Sequence, residues 1–183
     1  VHLLFRTLWA LAVRSRRASR LEIADVGRLR LRVLLTDIDI IGHLNNGMYF
    51  SFMDLGRMDL LVRAGAWSRL RRLGIYPVMA SETITFRKSL DLGVRFDLET
   101  RMVGIDDRAV YVEQRFVVDG EIYAQAMTRG RFLRTSGGTV PTAELGEILG
   151  VDVAAHPVPE WVQQWADRVA LPSTRGEAPS IWD

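Results

Sequence analysis

The chain has 183 residues, 48% of them hydrophobic and 25% charged, enough for one domain with a sizeable core plus tails. Its net charge of +2 does not argue for a nucleic-acid partner, which requires a clustered basic face. It contains no cysteine, which excludes disulfides, thiolate nucleophiles and cysteine-bound metals; His2, His43 and His156 are scattered without ligand spacing, so neither a metal nor another cofactor is expected.

Residues 1–27 form the first region. The apolar run His2–Val13 is followed by Arg14, Arg16, Arg17 and Arg20, the reverse of the basic-then-apolar order of a secretory signal. It is too short to span a bilayer. It reads either as a helix packed on its own domain or on a partner subunit, or as a helix lying on an anionic membrane surface with Trp9 near the headgroups. The expected location is cytoplasmic, with peripheral membrane association on the second reading.

Residues 28–136 form the main domain. From Arg28 to Leu35 apolar and basic residues alternate, a strand with one buried face. A polar stretch from Asp37 to Asn46 follows, and then a long apolar helical run. Asn45 or Asn46 supplies its N-cap and Gly65 its stop. A short basic helix from Trp67 to Leu73 ends at Gly74. Four strands follow: Val78–Lys88, Val94–Ile105, Val110–Val118 and Glu121–Arg134, with Asp119-Gly120 as a hairpin turn between the last two. This order specifies an α+β domain, an antiparallel sheet packed on one long helix. One helix leaves the sheet incompletely covered, so a homodimer or homotetramer is expected. Residues 137–183 contain five of the six prolines and two short helical patterns, Ala143–Leu149 and Glu160–Val169, and form an appendage on the domain.

The candidate chemistry gathers at the strand-to-helix junction. A carboxylate that attacks a carbonyl, or activates water to do so, requires nearby oxyanion donors, and a helix N-terminus supplies backbone N–H groups. Asp39 stands just before the helix start. Gly42 gives the intervening turn its freedom and permits close approach of a ligand. Asn45 and Asn46 read first as turn and cap residues, and Tyr49 as lining pocket or core. Glu82 shares strand parity with Ala80, Ile84 and Phe86 on the buried face. There it either faces the site as a second acid/base or meets an arginine, unless a bulge shifts the parity. Arg87 and Lys88, further along that strand, suit the phosphate groups of a carrier such as CoA. Asp54 and Arg57, three apart on the helix, suit a structural pair.

The run Asp37-Ile38-Asp39-Ile40-Ile41-Gly42-His43-Leu44-Asn45-Asn46-Gly47-Met48-Tyr49, with Asp54 and Arg57 beyond it, resembles the signature of hotdog-fold thioesterases of the 4-hydroxybenzoyl-CoA thioesterase-like group. Phe86-Arg87-Lys88-Ser89-Leu90 and Glu113-Gln114-Arg115-Phe116 further resemble its membrane-anchored, THEM6-like branch. The resemblance spans about residues 28–134. It implies a five-stranded antiparallel sheet around one helix, and an acyl-CoA or acyl-ACP thioesterase. On this resemblance Asp39 is the catalytic carboxylate, and N–H groups from Gly42 to Gly47 face the oxyanion; His43, which matches a histidine used by plant acyl-ACP relatives, is a second catalytic residue or else a histidine hydrogen-bonded within the loop. Those relatives carry an asparagine two residues after the aspartate; here that position is Ile41, which places more of the mechanism on Asp39. A non-catalytic lipid-binding or membrane-scaffold homologue is the first alternative, and a hotdog hydratase the second.

Overall fold

A computed structural model describes residues 19–172 and 176–181. The helix expected over residues 2–13 lies outside them. The described part of the first region, residues 19–26, is a turn and not a helix: Leu21 N–H bonds the Arg63 carbonyl, and Arg63 in turn bonds the Ser19 carbonyl. Ile23 is buried against the C-terminal half of the long helix.

Strand β1 (Gly27–Arg32) alternates buried and exposed as the sequence does, but stops short of Leu35. The reason is Asp37, which is fully buried and accepts the Leu34 N–H at 2.8 Å, closing a 3-10 turn over Leu35–Asp37. The chain then enters helix α1 (Asn46–Arg63), capped by the Asn45 side chain, which accepts the Gly47 N–H at 2.9 Å. Between Phe52 and Leu61 only Asp54 is exposed on this helix. Phe52 and Met53 are fully buried, each contributing about 1.5–3 kcal/mol of apolar burial. Gly65, in the left-handed region, ends α1; helix α2 (Ala66–Arg72) follows and ends at Gly74.

Strands β2 (Ile75–Phe86), β3 (Arg95–Ile105), β4 (Val110–Val118) and β5 (Glu121–Arg134) complete a five-stranded antiparallel sheet in the order β1-β3-β4-β5-β2. Asp119 and Gly120 both take positive φ, as the tight β4–β5 hairpin demands. In β2 the register shifts between Met79 and Ser81, leaving Ala80 out of the ladder. This bulge corrects the expected strand parity: Met79 lines the cavity under α1 and Ala80 is exposed, while Glu82, Ile84 and Phe86 keep the helix-facing side. Gly56 marks the closest approach of helix to sheet, because a Cβ there would stand 2.6 Å from Thr100 Oγ1 and 2.8 Å from Leu98 Cδ2.

The proline-rich tail covers two surfaces. Helix α3 (Thr142–Leu149) packs Leu145 and Leu149 into the core beside α2. Helix α4 (Glu160–Arg168) lays Val162 and Ala166 on Tyr111 and Met127, on the sheet face away from α1. No helix among the described residues is long and apolar enough to cross a membrane.

Candidate active site

The polar stretch folds into a loop that is tied at several points. Asp37 accepts the Asn45 N–H through its backbone carbonyl at 2.9 Å, and Leu44 N–H bonds the Leu90 carbonyl at 2.7 Å, anchoring the loop to the β2–β3 connection. The Asp39 N–H bonds the His43 carbonyl and the Gly42 N–H bonds the Asp39 carbonyl, so residues 39–43 form a closed turn. Gly42 has φ +91 and open space where a Cβ would stand; its backbone, not its size, is what the turn requires.

Asp39 organises this turn. Its Oδ1 accepts the Ile41 N–H at 2.9 Å and the His43 N–H at 3.3 Å. Its Oδ2 has no hydrogen-bond partner among the described residues. The carboxylate is half-buried and lines a cavity of about 280 Å³ with His43, Leu44, Asn46, Tyr49, Phe86, Arg87, Lys88 and Ser89. Asp39, His43, Asn46, Tyr49, Arg87 and Lys88 are thus brought together around one cavity. Gly42, Asn45 and Gly47 shape the loop and helix start beside it. Glu82 stands apart.

The expected row of N–H donors is narrower than the resemblance implies. Those of Gly42, His43, Leu44, Asn45, Gly47 and Met48 are all engaged by the loop or the cap. Among the described residues, only the Asn46 N–H between Gly42 and Met48 has no acceptor, and Asn46 lines the cavity. A helix N-terminus must leave N–H groups open, and the Asn45 cap removes only some of them.

Around the cavity, His43 Nε2 lies 3.7 Å from Asp91 Oδ1, with both side chains about half exposed. Asp91 is a residue that sequence reading missed: it reaches the site through a backbone bridge between His43 and Asp91, a pairing with no local signal. Tyr49 is 2% exposed, and burial pushes its phenol above the usual value. Its ring packs edge-on against Phe86 and Phe116, both with centroids 4.9 Å away. Arg87 and Lys88 share the Glu121 carboxylate, at 2.7 and 2.6 Å, which holds the Glu121 carboxyl below its ordinary value. Two cations on one carboxylate leave a net positive rim. Ile41 does not occupy the cavity: it is 72% exposed at the loop tip, beside a fully exposed Ile40.

Glu82 meets an arginine, one of the two arrangements its position allowed. Its Oε1 is 2.7 Å from Arg57 Nη1, off the line of the N–H bond. Arg57 is 9% exposed; it also donates to Gln114 Oε1 at 3.0 Å and pairs with Asp54. Gln114, fully buried, passes the network to Thr100 Oγ1 and to the Met53 carbonyl. Burial raises the Glu82 carboxyl above its ordinary value, more than Arg57 lowers it. Sequence reading did not find Gln114's bracing role, because a single glutamine in an alternating strand carries no signal of it. Among the described residues no group of three or more His, Asp or Glu could hold a metal ion.

Comparison with known proteins matches the chain to one family. The family model of the thioesterase-like superfamily matches residues 33–166. Protein THEM6 of Danio rerio is 40% identical over 107 residues, covering 57% of this chain and 53% of that protein. Protein THEM6 of Xenopus laevis is 35% identical over 135 residues, covering 73% of this chain and 63% of that protein. The chain thus spans between half and two thirds of the length of these relatives. Among solved structures, the probable thioesterase YbaW from Escherichia coli superposes with a TM-score of 0.62 at 18% identity, covering 67% of this chain and 95% of that one. The gentisyl-coenzyme A thioesterase BH1999 superposes with a TM-score of 0.58 at 20% identity, covering 62% and 94%. The hotdog fold expected from the motif is therefore the fold observed, and the chain belongs to the thioesterase-like superfamily.

Proposed function

We propose that the protein is a thioester hydrolase acting on an acyl-CoA or acyl-ACP, with Asp39 as its catalytic carboxylate. The observation that carries the reading is the division of labour within Asp39: Oδ1 is fixed by two backbone N–H groups, while Oδ2 is without a partner among the described residues, beside the cavity. A carboxylate held in this way is oriented without losing its reactive oxygen. With the thioester carbonyl in the cavity, Oδ2 takes a proton from water as the water oxygen bonds to the carbonyl carbon. The oxyanion accepts from the Asn46 N–H at the start of α1, where the helix dipole also favours negative charge. Collapse of the tetrahedral species breaks the C–S bond, and the leaving sulfur takes the proton back from Asp39, giving free acid and thiol. Direct attack by Oδ2 on the carbonyl is the other route open to the same carboxylate.

His43 lines the same cavity, with Asp91 3.7 Å from its Nε2, and is the second catalytic candidate, although the steps above do not require it. Arg87 and Lys88 supply the net positive edge that suits carrier phosphates. The names of the structural neighbours YbaW and BH1999 support the reaction class, and gentisyl-coenzyme A in the second supports a CoA carrier. The chain is expected to work as a homodimer or homotetramer.

The test is thiol release from a panel of acyl-CoAs by wild type and Asp39→Asn. Asparagine keeps an oxygen for the Ile41 and His43 N–H groups, so the loop survives while the base is lost. Wild-type turnover lost in the variant supports the proposal; a wild type inert on every chain length, or a variant as active as wild type, removes it.

A further inference from the structure

Three buried side-chain N–H donors have no acceptor, and none of them serves the Asp39 cavity: Arg129 Nε, Arg131 Nε and Trp165 Nε1. Arg129 is 8% exposed, and among the described residues no carboxylate pairs with it or with Arg131. Two carboxylates act on Tyr111, its neighbour across the β4–β5 ladder, but both are engaged elsewhere. Asp106 accepts from the Tyr111 hydroxyl and from the Arg108 and Ala109 N–H groups, and Asp167 accepts from Gln163. A buried guanidinium without a counter-charge is costly, and folded proteins ordinarily pair it or give it an anion.

Strand alternation puts both arginines on the sheet face away from α1. Ala124 and Ala126 point into the core with Phe52 and Met53, whereas Met127 packs under α4. Arg129 and Arg131 follow Met127 at two-residue steps and share its side, each about 7 Å further along β5. On the edge strand, Thr83 stands opposite Met127 and Ser81 opposite Arg129. A groove of about 700 Å³ opens on this face, lined by Thr83, Thr85, Gln125, Met127 and Trp161 and reaching Arg87. Trp161 is 55% exposed, a large ring beside a largely polar wall. Trp165, one turn further on α4, joins the cluster of Tyr111 and Met127.

We propose that this outer groove binds a phosphorylated nucleotide. Arg129 and Arg131 hold its phosphate, Trp161 stacks on its base, and Thr83, Thr85 and Gln125 meet the polar edges of base and sugar. Each feature selects one part of such a ligand. Neighbouring guanidinium forks suit a phosphate, with its several oxygens. An exposed indole face suits a nucleobase, since every base has a face to stack. The groove has the volume of a small-ligand site, and the chain's net charge of +2 gives no basic stripe for a longer strand. The groove lies across the sheet from Asp39, so the proposal does not depend on the thioesterase reading. Arg87 lines both cavities and is where they approach each other. The same chemistry has two sources, a free nucleotide acting as an effector or the nucleotide end of a carrier that passes over the sheet at Arg87.

The experiment uses the whole chain with ADP as the probe, read by calorimetry and by thermal melt. ADP binds saturably and raises the melting temperature of wild type. It binds about tenfold or more tightly than inorganic phosphate, and Arg129→Met and Trp161→Ala each weaken it by about tenfold or more. Without ADP, Arg129→Met melts at or above the wild-type temperature, because it removes an unpaired buried charge. Competition with the non-hydrolysable S-butyl-CoA then assigns the source. Displacement of ADP upholds the site as the carrier's nucleotide end, and simultaneous binding of both upholds it as a free-nucleotide site. The proposal is overturned if ADP does not bind, if it binds no tighter than inorganic phosphate, or if its affinity is unchanged in both variants. A melt of Arg129→Met well below wild type also overturns it, since the guanidinium would then already have its counter-charge.

Discussion

Two carboxylates face α1, Asp39 just before its start and Glu82 on β2 opposite its middle, and the fold treats them in opposite ways. At the N-terminal end Asp39 is held by peptide N–H groups of its own turn, in a half-exposed loop, with one oxygen left over. Further along, Glu82 faces a guanidinium that is itself locked by Asp54 and Gln114. Peptide groups orient a carboxylate through one oxygen, so Asp39 keeps Oδ2 for chemistry. A buried guanidinium ties its carboxylate into the packing, so Glu82 becomes part of how helix and strand are joined. Proximity to a pocket does not separate these roles; the identity of the partner does.

The largest effect that would break this contrast is expected at Arg57. Arg57→Met leaves Glu82 and the Gln114 carbonyl without their cation under the helix. Loss of one partner from a buried charged network costs about 3–5 kcal/mol, measurable as a lower urea midpoint with an unchanged slope. An equally stable variant would show that the network is not what joins α1 to the sheet. Gly56→Ala tests the neighbouring close approach. Its Cβ would meet Thr100 Oγ1 at 2.6 Å and Gln114 Nε2 at 2.8 Å, and overpacking of this kind costs about 1–3 kcal/mol.

Two further variants are expected to lose less. Asn45→Ala removes the oxygen that caps Gly47 and lowers stability by about 1 kcal/mol. It also frees the Gly47 N–H, so the same variant reports by activity whether a second open donor at the helix start assists turnover. Glu82→Gln gives the smallest change, and its sign depends on pH. Burial raises the Glu82 carboxyl pKa above the unfolded value. The stability this lends is fully present below the unfolded pKa and is lost as pH rises through the raised folded pKa. The variant, which carries no ionisation penalty, therefore gains on wild type across that interval. Melting temperatures measured side by side from acid to neutral pH check it; a difference that shrinks with rising pH would contradict it.

The frame of the molecule was legible from residues that act locally. Alternation gave the strands, Gly65 and Gly74 the helix stops, and Asp119-Gly120 the hairpin, because each depends only on its near neighbours. Beyond the frame, the motif located Asp39 and the helix start, and the structure gathers six of the expected residues around one cavity. What sequence could not supply was set by distant partners. The end of β1 depends on the buried Asp37 carboxylate, the strand parity of β2 on a bulge at Ala80, and the choice for Glu82 on Arg57 arriving from α1. Asp91 reaches His43 only through a bridge between two loops. The oxyanion donors were over-counted for the same reason: which N–H groups stay open is decided by how the loop closes on itself.

The central claim is that Asp39, and not merely the fold around it, performs the chemistry. Its most direct test is single-turnover thiol release from an acyl-CoA by wild type and Asp39→Asn, with the thermal melt of each recorded beside it. The account predicts a loss of about 10²–10⁴-fold, the range of a lost general base, with both proteins melting alike. An Asp39→Asn protein that releases thiol at the wild-type rate, or that loses activity only together with its fold, would contradict it.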